Sequence, residues 1–322
     1  MKRHWNTYSD YLAEKYGGRR VYRVSVDAGL SCPNRDAFGR GGCAFCDGTG
    51  GTAVHLRPQE KDLKESQSLL LKPESDIAAQ IDRGLKYIRY RYKAELAMLY
   101  FQSWSNTNAP AGRLKKLYDM ALERADFVSL IVSTRPDLLS DEVLDLLASY
   151  RTDKREVWVE AGLQSADDDT LRRLGRGHDA ACFADAAQRI HAHGLKLCTH
   201  MMILPCYENL EKSIETIRFI NRCASDAVKI HNLCLTRGTR LLDDYKSLGC
   251  YPVLSLERFV HTAAVLLAHL DRSVVVERLM SEMTASRLVN PLHFPDKRDV
   301  LELVDLCMEN RGWQQGCLSD SI

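Results

Sequence analysis

Apolar residues along this chain follow two alternating rhythms. Short runs dense in Val, Ile, Leu and aromatic residues occupy 21–29 (VYRVSVDAG), 95–102 (ELAMLYFQ), 127–134 (FVSLIVST), 156–164 (EVWVEAGLQ), 195–203 (LKLCTHMMI) and 227–235 (AVKIHNLCL). These runs have the length of strands, and several are nearly continuous in apolar residues, as strands covered on both faces are. Between them the spacing becomes helical. Ile77, Ile81, Leu85 and Ile88 mark one face, and Leu114, Leu117, Ala121 and Leu122 mark another, after Pro110 at a first-turn position. Ser140 and Asp179 stand where helix caps belong, ahead of Leu144 and Leu147 and of Phe183 and Ile190. Leu210, Ile214 and Ile217 continue the pattern. Six strand–helix units predict an α/β fold with a parallel sheet and right-handed crossovers. That is two units short of a closed eight-stranded barrel, so the expected architecture is a partial, open barrel.

After residue 250 the rhythm changes. A helix is expected over 255–270 (SLERFVHTAAVLLAHL), a short strand-like run over 274–279 (VVVERL) and a last helix over 299–310 (DVLELVDLCMEN). No linker rich in Pro, Gly or Ser intervenes. The reading therefore divides the chain into a core of residues 1–250 and an extension of residues 251–322 packed on it.

The 322 residues, 45% of them hydrophobic, suffice for a large core. With 44 Lys+Arg against 43 Asp+Glu, the net charge of +1 argues against a uniform coat for nucleic acid and leaves room for a local basic groove. One segment concentrates base and ring: RGLKYIRYRYK, 83–93, interleaves Arg and Lys with Tyr87, Tyr90 and Tyr92. It reads either as the solvated side of the helix whose inner face is Ile81, Leu85 and Ile88, or as a phosphate-contacting patch with aromatic stacking. No apolar run reaches the length of a membrane span, and MKRHWNTYSD lacks the apolar core of a signal peptide. A cytoplasmic protein is expected.

The chain has 11 cysteines. In a reducing compartment disulfides are not expected. Those from Cys182 to Cys317 are scattered singly and read as small apolar core residues. Cys32, Cys43 and Cys46 differ: they cluster as C-x10-C-x2-C in the glycine-rich run SCPNRDAFGRGGCAFCDGTGG. This run follows the first strand, and loops after strands build the active sites of parallel barrels. Thiolates ligate both zinc and iron–sulfur clusters. A closed zinc site needs a fourth ligand, for which His55 is the local candidate. Three thiolates on a four-iron cubane leave one iron open to a small molecule. Both readings stand beside that of plain thiols. Gly39, Gly41, Gly42, Gly48, Gly50 and Gly51 would let the backbone wrap a bulky inorganic core and aim N–H groups at its sulfurs.

The stretch SCPNRD…GGCAFC resembles the cluster loop of the radical S-adenosylmethionine (radical SAM) enzymes. Within them it is most similar to the YhcC/YtqA type, related to the radical SAM core of the elongator catalytic subunit. YFQSWSNT at 100–107, EAGLQS at 160–165, LRRLGRGH at 171–178, VKIHNLCLTRGT at 228–239 and VVVERL at 274–279 carry the same resemblance. It implies a partial (β/α)6 TIM-like barrel with a [4Fe-4S] cluster on Cys32, Cys43 and Cys46. It implies SAM chelated at the open iron and cleaved reductively to methionine and a 5′-deoxyadenosyl radical, which abstracts hydrogen from a substrate. It further implies an electron donor such as flavodoxin or ferredoxin, and tRNA, at a wobble-uridine side chain, as substrate. Two departures stand out: Ala37 replaces a family glycine, and HMMILPCYEN at 200–209 lacks the glycines of the family's H-x-x-x-GLPGE stretch. Two rival readings remain: a radical SAM enzyme acting on a small metabolite or a protein side chain, and a zinc-stabilised binding module without chemistry.

Other residues qualify for the site. The resemblance puts Phe45 near the SAM adenine; it also suits a loop anchor. Glu160, at a predicted strand end among apolar residues, must find a partner. A ribose diol is the partner the resemblance implies, and an ion pair is the alternative. Gln102 and Gln164, also at strand ends, suit the orienting of SAM or substrate. Arg176, in GRGH with His178, suits bidentate capture of a carboxylate such as that of SAM, or a cap. His200, Lys229 and His231 interrupt apolar strands. Lys229 and His231 share a strand face. If that face lines the barrel, both point at substrate.

Overall fold

The computed structural model describes residues 3–36, 41–46, 76–205, 208–249, 255–281, 287–291 and 295–319. Seven strands form one parallel sheet: β1 (Val21–Val26), β2 (Leu96–Phe101), β3 (Phe127–Thr134), β4 (Glu156–Gln164), β5 (Lys196–Met202), β6 (Ala227–His231) and β8 (Val275–Arg278), paired in that order. The sheet curls into a half-barrel. The expectation of six strands is corrected to seven. VVVERL, read as part of the extension, pairs in parallel with β6 and closes the far edge. Its described strand is only four residues long, too short to show a period of its own. A small antiparallel pair, β7 (Leu235–Thr236) and β9 (Leu288–Asn290), lies apart from the main sheet.

Helices cover the outer face. α2 (Asp76–Tyr92), α3 (Ala111–Leu122), α4 (Asp141–Ser149), α6 (Ala180–Ala192), α7 (Leu210–Arg222) and α9 (Leu256–His269) follow the strands as the periodicity requires. Their apolar stripes, including Ile81, Leu117, Leu144, Ile190, Ile217 and Phe259, share one core with Val24, Leu99, Leu130, Val159, Leu197 and Val228 of the sheet. α10 (Lys297–Glu309) joins that core through Val300 and Val304. The caps act as read: Ser140 Oγ accepts from the Val143 N–H and Asp179 from the Cys182 N–H. Short α5 (Asp168–Leu174) and α8 (Arg240–Ser247) complete the connections near the strand ends. Among the described residues no helix is long and apolar enough to cross a membrane.

Residues of alternate parity face the lumen. Val21, Met98, Ile131, Trp158, Cys198, Ala227 and Val275 form its apolar floor. α1 (Tyr8–Lys15) closes that floor with Tyr8, Tyr11 and Leu12, and the Tyr11 hydroxyl donates to the Glu156 carboxylate at 3.0 Å. The chain just before α1 pairs with β8, the Val276 N–H donating to Asn6 O at 2.8 Å. α1 thus ties the far edge strand back toward β1, which it precedes directly in sequence.

Candidate active site

The cysteine loop lies at the C-terminal mouth of the half-barrel. β1 ends where Gly29, with φ of 65°, turns the chain and its N–H donates to Asp27 Oδ1 at 2.9 Å. Gln80 of α2 clasps the turn, accepting from the Asp27 N–H and donating to Asp27 O. The loop then folds on itself. The Gly42 N–H donates to Asn34 O at 2.7 Å and the Cys46 N–H to Cys43 O at 2.9 Å. Gly41 and Gly42 take φ of 84° and 93°, values that favour glycine. A Cβ at Gly42 would stand 3.0 Å from the Arg35 guanidinium, which itself packs over the Trp104 ring. Two backbone bonds anchor the loop tip to the barrel, Ala44 N–H to Leu174 O and Leu241 N–H to Ala44 O.

Cations surround the thiols. Arg176 Nη1 donates to Cys43 Sγ at 3.1 Å while its Nη2 donates to Gly162 O at 2.7 Å. Asn34 Nδ2 donates to the carbonyls of Gly175 and Arg176 and approaches Cys43 Sγ at 3.6 Å. Burial would raise the Cys43 pKa, but the charge and hydrogen bond of Arg176, the Asn34 amide and the Arg135 charge together bring it below the ordinary thiol value. Burial dominates elsewhere: it pushes Cys198 up to about 12 and Cys223 and Cys234 to about 11. The fold therefore favours a thiolate at Cys43 and disfavours one at these scattered positions, in line with their reading as small core residues.

The lumen beneath is a charged chamber inside a cavity of about 1300 Å³ that also reaches the three loop cysteines. Glu160 and Lys229, each 1% exposed, stand 2.5 Å apart. Tyr100 donates to Glu160 Oε2 at 2.6 Å, and the His200 ring nitrogen lies 3.0 Å from the same oxygen. Lys229 also reaches Glu277 at 2.7 Å, and Arg23 Nη2 reaches it at 2.5 Å. Burial works against the Glu160 carboxylate, but Lys229, His200 and Arg23 hold its pKa well below the usual range. Burial lowers His200 to about 4 and His231 well below its ordinary value, so both imidazoles are neutral at neutral pH.

Most of the residues singled out by sequence converge on this cavity: Cys32, Cys43, Cys46, Phe45, Gln102, Gln164, Arg176, His200, Lys229 and His231 all line it. Glu160 differs from its expected place. It is not at the end of a strand but at the middle of β4, and it belongs to the ion cluster of the chamber. Gln164 holds the strand end, with φ of 76° beside a register shift between β4 and β5 that re-aims it. Phe45 packs with Ala44, Leu174 and Met202. His231 Nδ1 bonds Ser281 Oγ, and its ring lies 5.4 Å from that of His200. His178 lies between α5 and α6, half-buried and with its pKa pulled down to about 4 by burial and Arg176. His55, Gly39, Gly48, Gly50, Gly51 and Ala37 lie outside the described residues, as does part of the 200–209 stretch. Arg23, Tyr100, Glu277, Asn34 and Arg135 escaped the sequence reading. Arg23 was detectable, as a cation on the same strand face as Val21 and Ser25.

The chain belongs to the radical SAM superfamily, whose model matches residues 32–220. A second model, that of the Radical_SAM C-terminal domain, matches residues 225–310. The chain is 31% identical to protein YhcC of Escherichia coli strain K12, over 97% of this chain and 95% of that protein. It is 25% identical to a tRNA uridine(34) acetyltransferase of Methanocaldococcus infernus, over 93% of this chain and 59% of that protein. The fold is that of the Methanocaldococcus infernus Elp3 with residues 1–46 deleted, at a TM-score of 0.68 and 17% identity, covering 92% of this chain and 64% of that one. The protein is thus a radical SAM enzyme, and the family's cofactors are a [4Fe-4S] cluster and SAM. Family membership removes the non-catalytic zinc module.

The residues present fit these groups. Arg135, bound bidentate to Asp137, keeps its buried Nη1 without a hydrogen-bond partner among the described residues, and Arg176 keeps its Nε so. Two buried guanidinium donors beside Cys32 and Cys43 complement an anionic cluster and the carboxylate of SAM. Among the described residues, three metal-ligating atoms within 4.8 Å of one another occur at Glu160, Cys198 and His200, and not among the loop thiols. A single zinc ion draws its sulfurs closer than that, whereas a cubane holds them apart.

Proposed function

We propose that Cys32, Cys43 and Cys46 hold the cluster by three of its irons, and that SAM binds at the fourth above the charged lumen. The carrying observation is the Arg176–Cys43 contact at 3.1 Å, which stabilises a thiolate on the loop at the barrel mouth. When bound, the cluster supplies the electron that splits a carbon–sulfur bond of SAM. The rest of the work belongs to the chain. Asn34 and Arg176 fix Cys43. Arg135 and Arg176 offer donors to the SAM carboxylate. Phe45, Gln102 and Gln164 border the mouth and orient the nucleoside. α1 closes the floor, so substrate enters from the mouth or the open side. His200 and His231, held neutral, are hydrogen-bond partners rather than charges at neutral pH.

The substrate reading that fits best is a modified uridine of tRNA. It is supported by the relative named as a tRNA uridine(34) acetyltransferase and by the exposed side of α2. Ile81, Leu85 and Ile88 face the core there, while Lys86, Arg89, Arg91 and Lys93 are exposed and Tyr90 is 81% exposed. Reconstituted, reduced protein incubated with SAM and total small RNA, followed by nucleoside mass spectrometry, tests the whole reading. Release of 5′-deoxyadenosine together with a changed uridine is the expected result. Release without any changed nucleoside returns the substrate to the small-molecule class.

A further inference from the structure

The edge strand β8 carries an irregularity at the chamber wall. Ala227 pairs with Val275 and Val228 with Val276, but Lys229 then pairs with Arg278, leaving Glu277 as an extra residue. Val275 faces the lumen and Val276 the outer core, so alternation alone would aim Glu277 inward and Arg278 out. The bulge cancels that alternation. Glu277 points inward, and Arg278 takes the register of Lys229 and lines the same cavity. Bulges that re-aim a side chain are common beside active sites.

Among the described residues, the chamber's two carboxylates, Glu160 and Glu277, pair with Arg23 and Lys229, and Arg278 lines the same cavity outside those pairs. Both carboxylates are already engaged. Glu277 meets Arg23 and Lys229, and Glu160 meets Lys229, Tyr100 and His200. Among the described residues no carboxylate pairs with Arg278. Its charge is felt across the chamber: after burial, it is among the influences that hold His200 and His231 neutral. A half-buried guanidinium without a carboxylate partner among the described residues, next to neutral imidazoles, suits an anion. The SAM carboxylate has its own donors, Arg135 and Arg176, at the cysteine loop across the sheet. Arg278 stands on the edge strand, apart from those donors.

We propose that Arg278 binds a carboxylate carried by the substrate, so that the molecule this enzyme acts on is an acid. The proposal rests on the lumen being the substrate chamber. It does not depend on whether the acid is part of an RNA. The guanidinium fork takes a planar carboxylate through two parallel N–H bonds, and the neutral His231 and Asn232 border the same cavity as further hydrogen-bonding groups.

The test uses reconstituted holoenzyme saturated with SAM, so that the SAM carboxylate site is filled. Sodium acetate is titrated by calorimetry and by thermal shift, against acetamide as the neutral isostere, inorganic phosphate, and sodium chloride at matched ionic strength. Acetate is expected to bind and to raise the melting temperature, while acetamide and chloride do neither. Arg278→Gln should weaken acetate binding at least about tenfold, the loss of one charged bidentate contact, with SAM affinity unchanged. Arg278→Lys, which keeps the charge and loses the fork, should fall between; it carries the test if Arg278→Gln does not fold. Equal acetate binding in wild type and Arg278→Gln overturns the proposal, as does a response to phosphate and none to acetate. Release of 5′-deoxyadenosine by the same preparation is read separately. Its absence counts against the enzyme reading, and its presence with no acetate response counts against Arg278 alone.

Discussion

Lys229 Nζ lies 2.5 Å from Glu160 Oε2, and the two side chains meet in the lumen of the half-barrel with almost no contact with water. Neither residue has a solvated alternative. The pair is shared outward: Tyr100 and His200 add hydrogen bonds to the carboxylate, and Glu277 adds a second carboxylate to the ammonium. A buried pair of this kind is held by geometry more than by net attraction, because desolvation cancels much of the Coulomb gain.

Removing one partner should therefore cost far more than removing both. Lys229→Met leaves Glu160 ionised among its remaining partners and should lower unfolding free energy by about 3–5 kcal/mol. Glu160→Gln leaves Lys229 with the Glu277 carboxylate and the Tyr100 hydroxyl, and should cost less. The double variant Glu160→Gln/Lys229→Met should recover part of the loss, giving a coupling energy above about 1 kcal/mol in a denaturant double-mutant cycle. Additive costs would mean that the two side chains do not act as a pair.

The strands were legible because they are fully covered: FVSLIVST and EVWVEAGLQ have no other use for so many consecutive apolar residues. The helices were legible through stripes such as Ile77, Ile81, Leu85 and Ile88, all buried as read. The cysteine loop was legible because its spacing is local. What depends on pairing across the sheet was not. The Glu160–Lys229 pair spans 69 residues of sequence, and only the curl of the sheet brings its members together. Arg278 was invisible for a sharper reason: strand alternation places it outside, and a bulge formed with β6 reverses that. α1 carries no buried residue of its own. Its tyrosines close the floor without an apolar stripe that marks a helix.

Acid should unfold this protein earlier than its carboxylates alone predict. His178 and His200 sit at about 4 in the fold, and His231 also lies well below its ordinary value, against about 6.5 for all three when unfolded. Between those values the unfolded chain binds more protons, so stability is fully present above about pH 6.5 and falls as pH drops toward 4. Every tenfold difference in proton affinity between the folded and unfolded chain is worth about 1.4 kcal/mol. Urea midpoints should fall steadily from pH 7 to pH 5, and His200→Asn should flatten that slope. A midpoint constant over this range would mean that the imidazoles are already protonated in the lumen.

Single alanine substitutions separate ligand thiols from core thiols. Cys32→Ala, Cys43→Ala and Cys46→Ala should each abolish stable iron binding and the visible charge-transfer absorbance, with far-UV circular dichroism unchanged. Cys198→Ala removes a buried thiol from the lumen floor and should leave iron content as it was. Iron retained in all three loop variants, or lost from Cys198→Ala, would show that the wrong thiols have been chosen.

Gly162 controls the cation at the cluster loop through space it leaves empty. Its carbonyl accepts from Arg176 Nη2 at 2.7 Å, the bond that steadies Nη1 against Cys43. A Cβ at residue 162 would stand 2.8 Å from Arg176 Nη2 and 2.9 Å from Gln164 Nε2. Both atoms are tips of flexible side chains, so Gly162→Ala should fold with a small change in melting temperature while the guanidinium is pushed away from the thiol. With the thiolate less stabilised, chelator should strip iron about tenfold faster than from wild type, in line with the loss of one charged hydrogen bond. Arg176→Gln should do the same, and Gly162→Ala/Arg176→Gln should be no faster than Arg176→Gln, because both substitutions act through one contact. Iron loss from Gly162→Ala at the wild-type rate would mean that Arg176 does not need that carbonyl to hold its place at Cys43.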